Sequence, residues 1–221
     1  MKTATLRKFG GFSALYMAAA YLAGIVLFLV VLDYPGITDP AQRAALLVEK
    51  QMVVFSTNLL MYVFFGVFLI VLSLALYDRL KSGEPAIMQA ATVIGVVWAG
   101  LLIASGMVAN AAIAPVAALC GTDPTGAALT WQGIEAVVNG LGGANGEILG
   151  GLFTLLVSLA ALQAGGFPKV LSILGLLIGA ADIISVFPGL TGLIAVYGLS
   201  KIVWFVWLGI VLLRGDRSPA A

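Results

Sequence analysis

Residues 139–158 read NGLGGANGEILGGLFTLLVS, a stretch that places the carboxylate of Glu147 at the start of an apolar run. The run is long enough to become a membrane-spanning helix. Glycines recur beside Glu147 at a spacing of four residues, which puts them along one side of a helix and lets a second helix approach closely. We expect this row to mediate helix packing: Gly142, Gly146 and Gly150.

The composition of the whole chain is that of an integral membrane protein. Of its 221 residues, 62% are hydrophobic and 10% are charged, which is far from the composition of soluble domains. The chain has no histidine and one cysteine, Cys120, so metal-redox, zinc-hydrolase and intramolecular disulfide chemistry are disfavoured. A net charge of +1 gives no reason to expect a nucleic acid partner. We expect no metal, no cofactor and the lipid bilayer as the main partner.

Six apolar segments are long enough to cross a bilayer core of about 30 Å, which takes roughly 20 residues in a helix. They lie near 12–32, 53–77, 87–112, 144–163, 168–187 and 193–213. We therefore predict an all-α, polytopic membrane protein in which residues 1–221 form a single six-helix transmembrane domain. The first segment is too long for the apolar region of a signal peptide, about 7–15 residues, and is interpreted as a retained span.

Lysine and arginine residues are distributed unequally between the two sides of this predicted bundle. Eight fall on the side of the termini, two fall on the opposite side, Arg43 and Lys50, and Lys201 lies inside a span. Because lysine- and arginine-rich segments stay in the cytoplasm, both termini are predicted to be cytoplasmic.

Both long loops on the predicted outer side contain the sequence Thr-Asp-Pro, at Asp39-Pro40 and Asp123-Pro124. Aspartate is a preferred helix cap and proline fits the first helical turn, so each loop is predicted to start a short helix at the outer surface. Trp131 in the second helix fits an interface anchor. The recurrence favours three hairpins forming a parallel repeat. The alternative is that apolar helices resemble one another by chance and that Thr-Asp-Pro is simply a good helix start.

Three ionisable residues fall inside apolar segments: Glu147, Asp182 and Lys201. A charge at the bilayer centre costs about 2.5–3.5 kcal/mol on insertion scales, so these groups need partners. We expect Lys201 to pair with either Glu147 or Asp182. Asparagines fall at a similar predicted depth in the outer half of the bundle: Asn58, Asn110 and Asn145.

Small and polar residues continue as stripes along the fourth and fifth predicted spans. One stripe follows Glu147, and the other leads to Asp182. They consist of Gly151, Thr154 and Ser158, and of Ser172, Gly175 and Gly179. Because Gly175 and Gly179 can bring two helices close together, we expect these stripes to face inward and Gly175 and Gly179 to mediate helix packing.

Two functions from different classes are compatible with these features. The first is a binding or transport module for a small solute, a lipid head group or a proton, which uses the charged residues and asparagines as an outward-facing polar site. The second is a structural or accessory subunit of a membrane complex, whose partner is another membrane protein or a second copy of this chain. No nucleophile and base are visible together, so no catalytic residues are predicted and an enzyme is disfavoured.

The sequence NGLGGANGEILGGL, followed by LGLLIGAADIISVFPGL and GLSKIVWFVWLGIVLL, resembles a family of bacterial integral membrane proteins catalogued as a domain of unknown function. The similarity covers most of the chain and is most specific over residues 135–213. It implies about six transmembrane helices and a prokaryotic cytoplasmic membrane. It implies no activity for individual residues.

Overall fold

A computed structural model of the chain describes residues 3–142, 148–187, 189–190 and 193–214. These residues are almost entirely helical and contain no strand, so the predicted all-α class is confirmed. The helices are α1 (Thr3–Val26), α2 (Pro40–Glu49), α3 (Gln51–Asn58), α4 (Phe65–Leu80), α5 (Pro85–Cys120), α6 (Pro124–Gly142), α7 (Ile148–Ala164), α8 (Lys169–Ile184) and α9 (Leu193–Arg214). Two π-helical turns extend them: Leu27–Val31 continues α1, and Leu59–Phe64 joins α3 to α4.

Three continuous helical stretches among the described residues are long and apolar enough to cross a membrane. They are Ala4–Val31, Gln51–Leu80 and Pro85–Cys120. These stretches cover the first three predicted spans, except for Leu32 at the end of the first. The other predicted spans overlap α7, α8 and α9, and the count of six transmembrane helices stays a prediction.

Helix α5 is longer than the span predicted within it. It has 36 residues and continues past 112 to Cys120, with Pro115 inside it. At about 1.5 Å per residue it measures about 54 Å, against roughly 30 Å for a bilayer core. The alanine-rich sequence after Asn110 favours this continuation, and the helix ends where Gly121 follows.

Both Thr-Asp-Pro sequences start helices, as predicted. Asp39 Oδ1 accepts a hydrogen bond from the Ala41 amide at 3.1 Å, and α2 begins at Pro40. Asp123 Oδ1 accepts one from the Gly126 amide at 2.9 Å, and α6 begins at Pro124. The side chain thus satisfies an amide that has no partner within the helix.

The chain divides into two compact units, each built from separate segments. The first comprises Met1–Ala19, Val67–Ala99 and Asn145–Ala221, and the second comprises Ala20–Gly66 and Gly100–Ala144. In the first unit, α7 packs along α8 and α8 packs along α9. The single six-helix domain stays a prediction.

In the second unit, α2 packs against α6 around an apolar core. Members of this core include Leu32, Leu47, Val54, Ile113 and Trp131. Trp131 is therefore buried, because the pairing of the two loop helices encloses its indole, and its role as an interface anchor stays a prediction. Lys50 also stabilises this unit, since its Nζ donates to the Val31 carbonyl at 2.8 Å, at the end of the first long helix.

Helices α7 and α8 approach so closely that their backbones touch at two glycines. A Cβ atom added to Gly151 would lie 2.8 Å from the Gly179 carbonyl oxygen, and one added to Gly179 would lie 2.7 Å from the Gly151 oxygen. Gly175 lies against Ser158 and Trp204 in the same unit, leaving no space for a side chain. Gly175 and Gly179 therefore both lie where neighbouring helices come close, and their role in helix packing stays a prediction.

The glycine row beside Glu147 is only partly described. Gly142 ends α6, where an added Cβ would lie 2.8 Å from Ser105 Oγ, and Gly150 is buried in α7. Gly146 lies outside the described residues. A continuous row along one helix therefore stays a prediction.

Candidate functional site

A buried ion pair joins α8 to α9 in the first unit. The Nζ atom of Lys201 lies 2.6 Å from Oδ2 of Asp182, and both side chains have 0% exposure. The structure thus pairs Lys201 with Asp182, one of the two carboxylates that the sequence left open. Glu147, the other one, lies outside the described residues.

An indole ring lies close to the ammonium group of Lys201. Lys201 Nζ lies 4.9 Å from the ring centroid of Trp98, and the centroids of Trp98 and Phe153 are 6.0 Å apart. The face of an indole ring attracts a cation, and more strongly when water is excluded. Burial also makes separation of the two charges costly, because each would lose its counterion in a medium of low dielectric constant.

Several buried side-chain oxygen atoms of α7 and α8 lack hydrogen-bond partners among the described residues. Within the part of the chain that the structure describes, Asp182 Oδ1, Ser158 Oγ and Ser172 Oγ accept and donate no hydrogen bond. Such atoms are rare in folded proteins, because burial costs them the hydrogen bonds they make with water. Asp182 therefore uses one carboxylate oxygen for Lys201 and keeps the other unpaired.

These hydroxyl groups lie on the two stripes predicted from the sequence. Thr154 and Ser158 of α7 and Ser172 of α8 are all buried. Thr154 satisfies its hydroxyl within its own helix, by donating to the Gly150 carbonyl at 2.8 Å. The inward orientation of both stripes agrees with the prediction.

The asparagines form a separate pair in the second unit. Asn58 Nδ2 donates to Asn110 Oδ1 at 2.9 Å, and Asn110 Nδ2 donates to the Phe55 carbonyl at 3.3 Å. Asn145 lies outside the described residues. The described members of the predicted site therefore form two pairs, one in each unit, and their convergence into one outward-facing site stays a prediction.

A third polar cluster, not predicted from the sequence, connects the two loop helices of the second unit. Arg43 Nη1 donates to both carboxylate oxygens of Glu135, at 3.0 and 3.1 Å. The Tyr34 hydroxyl donates to Glu135 Oε1 at 2.8 Å and accepts from Trp131 Nε1 at 3.1 Å. One signal could have found it: Glu135 is the single charged residue of α6, and such a charge needs a partner when its helix is buried.

Burial and the neighbouring Glu135 carboxylate raise the pKa of the Tyr34 hydroxyl well above its usual value of 10.0. A raised pKa means that the folded protein holds the phenol proton more tightly than the unfolded chain. The protonated Tyr34 phenol therefore stabilises the folded state. This stabilisation is fully present below pH 10.0, and it is lost as the pH rises toward the higher pKa that Tyr34 has in the folded protein.

We therefore expect the melting temperature of the wild-type protein in detergent to fall more steeply above about pH 10 than that of Tyr34→Phe. The variant has no proton to lose at this position. Melting curves measured in steps from neutral to strongly alkaline pH check the expectation. Tyr77→Phe controls for the loss of a phenol, since Tyr77 lies near the end of α4 and outside the cluster. Identical slopes for wild type and Tyr34→Phe would contradict the expectation.

Comparison of the chain with models of protein families, with curated proteins and with solved structures finds no match. The resemblance to a bacterial membrane protein family stays a prediction. The function is therefore argued from the ion pair and its surroundings.

Proposed function

We propose that the chain is a six-span protein of the prokaryotic cytoplasmic membrane, with both termini in the cytoplasm, that binds or transports a small solute, a lipid head group or a proton. The lysine and arginine distribution supports this orientation. Three helices of sufficient length and apolarity support the membrane location. Among the three ligands, the geometry at Asp182 favours the proton.

The observation that carries this proposal is the ion pair between Asp182 and Lys201, with neither side chain exposed. Replacing a buried ion pair by apolar residues of similar volume is often neutral or stabilising. The presence of such a pair is therefore weak evidence that it stabilises the fold. Ionisable groups inside membrane segments are rare and commonly belong to ion or proton paths. The pair is therefore better explained by a function than by packing alone.

A proton would act on this pair in a definite way. Asp182 Oδ1 has no hydrogen-bond partner among the described residues, so it can accept a proton while Oδ2 faces Lys201. Protonation removes the negative charge and with it the attraction that joins α8 to α9. Because the chain has no histidine, carboxylates and lysine are the natural proton carriers within its spans.

Proton movement can be measured in liposomes that contain the purified protein, a pH-sensitive dye and an imposed pH gradient. We expect wild-type protein to dissipate the gradient faster than empty liposomes, and Asp182→Asn to slow this by at least about tenfold, since an amide takes up no proton in this range. The matched control is Asp78→Asn, which removes a carboxylate 2.6 Å from Lys81 at the exposed end of α4. No difference between wild-type and empty liposomes would refute proton transport.

A structural or accessory role is the second candidate. The backbone contact between Gly151 and Gly179 and the charged link between α8 and α9 both fix helix packing, which favours this role. It predicts that neutral substitutions of the pair lower stability but leave proton movement unchanged. Its partner would be another membrane protein or a second copy of this chain.

A further inference from the structure

The second unit contains a cavity of about 60 Å³ that the proposed function does not use. Its wall includes residues from the end of the first long helix and from α2, α3 and α6. Most of the wall is apolar, including Phe28, Leu47, Val54 and Val138. Concave, mainly apolar sites with a few polar groups are typical of small-molecule binding.

One polar group in this wall lacks a partner. Thr57 is 2% exposed and lines the cavity, and its Oγ1 atom forms no hydrogen bond within the described ranges of the chain. A hydroxyl group can donate and accept, so Thr57 is suited to a ligand with either property. Asn58 lies beside it in the wall and is held in place by its hydrogen bond to Asn110.

The charge of the wall is already balanced. Among the described residues that line the cavity, Glu135 is the only charged one, and both of its oxygens accept hydrogen bonds from Arg43. Tyr34, another wall residue, donates to the same carboxylate. A charged ligand would therefore lose its hydration without gaining a counterion, whereas an uncharged one avoids this cost.

The volume limits the size of the ligand. A single water needs about 10–15 Å³ of such a cavity, so the cavity has room for roughly four to six non-hydrogen atoms. This corresponds to a short chain of two or three carbon atoms with one polar head.

We propose that this cavity binds a small uncharged molecule with an apolar body of a few carbon atoms and one amide or hydroxyl head. The head hydrogen-bonds to Thr57 Oγ1, and the body lies among Phe28, Leu47, Val54 and Val138. The site belongs to the second unit alone and does not depend on the proposed proton function.

Propionamide is a suitable probe, because it has an amide head and is of the expected size. We expect it to raise the melting temperature of the detergent-solubilised wild-type protein saturably, and to give a binding isotherm by calorimetry. Propionate and propylammonium, which have the same short chain but carry a charge, are expected to do neither. Equal effects of the charged and uncharged compounds, or no binding of propionamide, would overturn the proposal.

Two variants and a matched control locate the site. Thr57→Val should weaken propionamide binding about tenfold, the loss expected for one hydrogen bond, without lowering the stability of the free protein. Ala109→Leu places a larger side chain in the cavity wall and should abolish binding. Thr92→Val makes the same change in the first unit, where the hydroxyl already donates to the Met88 carbonyl, and should bind like wild type. Unchanged binding by Ala109→Leu would place the ligand elsewhere and reject this site.

Discussion

Lys201→Met is expected to lower the free energy of unfolding by about 3–5 kcal/mol, because it leaves a buried carboxylate without its counterion. The Lys201 Nζ atom lies 2.6 Å from Asp182 Oδ2, and both side chains have 0% exposure. The aliphatic part of methionine fills much of the lysine volume, so lost packing contributes little. Thermal and chemical unfolding in detergent, followed by circular dichroism, measure the change.

A double-mutant cycle separates the cost of breaking the pair from the value of having it. Asp182→Asn combined with Lys201→Met removes both charges, and we expect it to recover most of the stability lost in Lys201→Met alone. The same two changes at Asp78 and Lys81, whose side chains are 21% and 46% exposed, should have little effect. Equal losses in the single and double variants at Asp182 and Lys201 would show that the two groups do not act as a pair.

The result also distinguishes the two proposed functions. If the double variant is at least as stable as wild type, the pair is unnecessary for folding, and its retention requires another reason such as proton binding. If the double variant stays strongly destabilised, the pair is part of the packing between α8 and α9, and the structural role gains support.

Gly179→Leu is expected to lower the free energy of unfolding by about 1–3 kcal/mol or more, because the new side chain must separate α7 from α8. A Cβ at this position would lie 2.7 Å from the Gly151 carbonyl oxygen and 2.8 Å from the Leu155 amide nitrogen. Backbone atoms cannot move aside as a flexible side chain can. The same unfolding measurements in detergent apply.

Gly133→Leu is the matched control, since an added Cβ at this exposed α6 position would meet nothing within 4 Å. Leucine has a higher helix propensity than glycine, so the control should gain up to about 1 kcal/mol. A similar gain in Gly179→Leu would mean that α7 and α8 do not pack through this glycine.

The sequence predicted those features that depend on local patterns or on a strong energetic requirement. The helix starts at Asp39 and Asp123 follow from capping chemistry within three residues of each cap. The partner of Lys201 was limited to two carboxylates, because a charge among apolar residues needs a counterion. The inward orientation of Ser158 and Ser172 follows from helical periodicity.

The remaining features depend on contacts between distant parts of the chain. Arg43 and Glu135 are 92 residues apart, and their contact follows from the packing of α2 against α6, which no local pattern specifies. Thr57 looked like one small polar residue among others, since the sequence does not show which hydroxyl lacks a partner. The same limit applied to Trp131, whose burial depends on the neighbouring helix.

The π-helical turn Leu59–Phe64 determines what a one-residue insertion or deletion in this helix would do to the residues on either side of it. Each residue of an α-helix advances by about 100°, and a π-helical turn accommodates an additional residue within the helix. Deleting one codon within 59–64 would therefore restore regular winding and leave Thr57 and Asn58 on nearly the same helix face relative to the residues after the turn, whereas the same deletion in a regular α-helix would rotate them by about 100°. A one-residue change of length at this turn is therefore compatible with keeping Thr57 and Asn58 in the wall of the adjoining cavity.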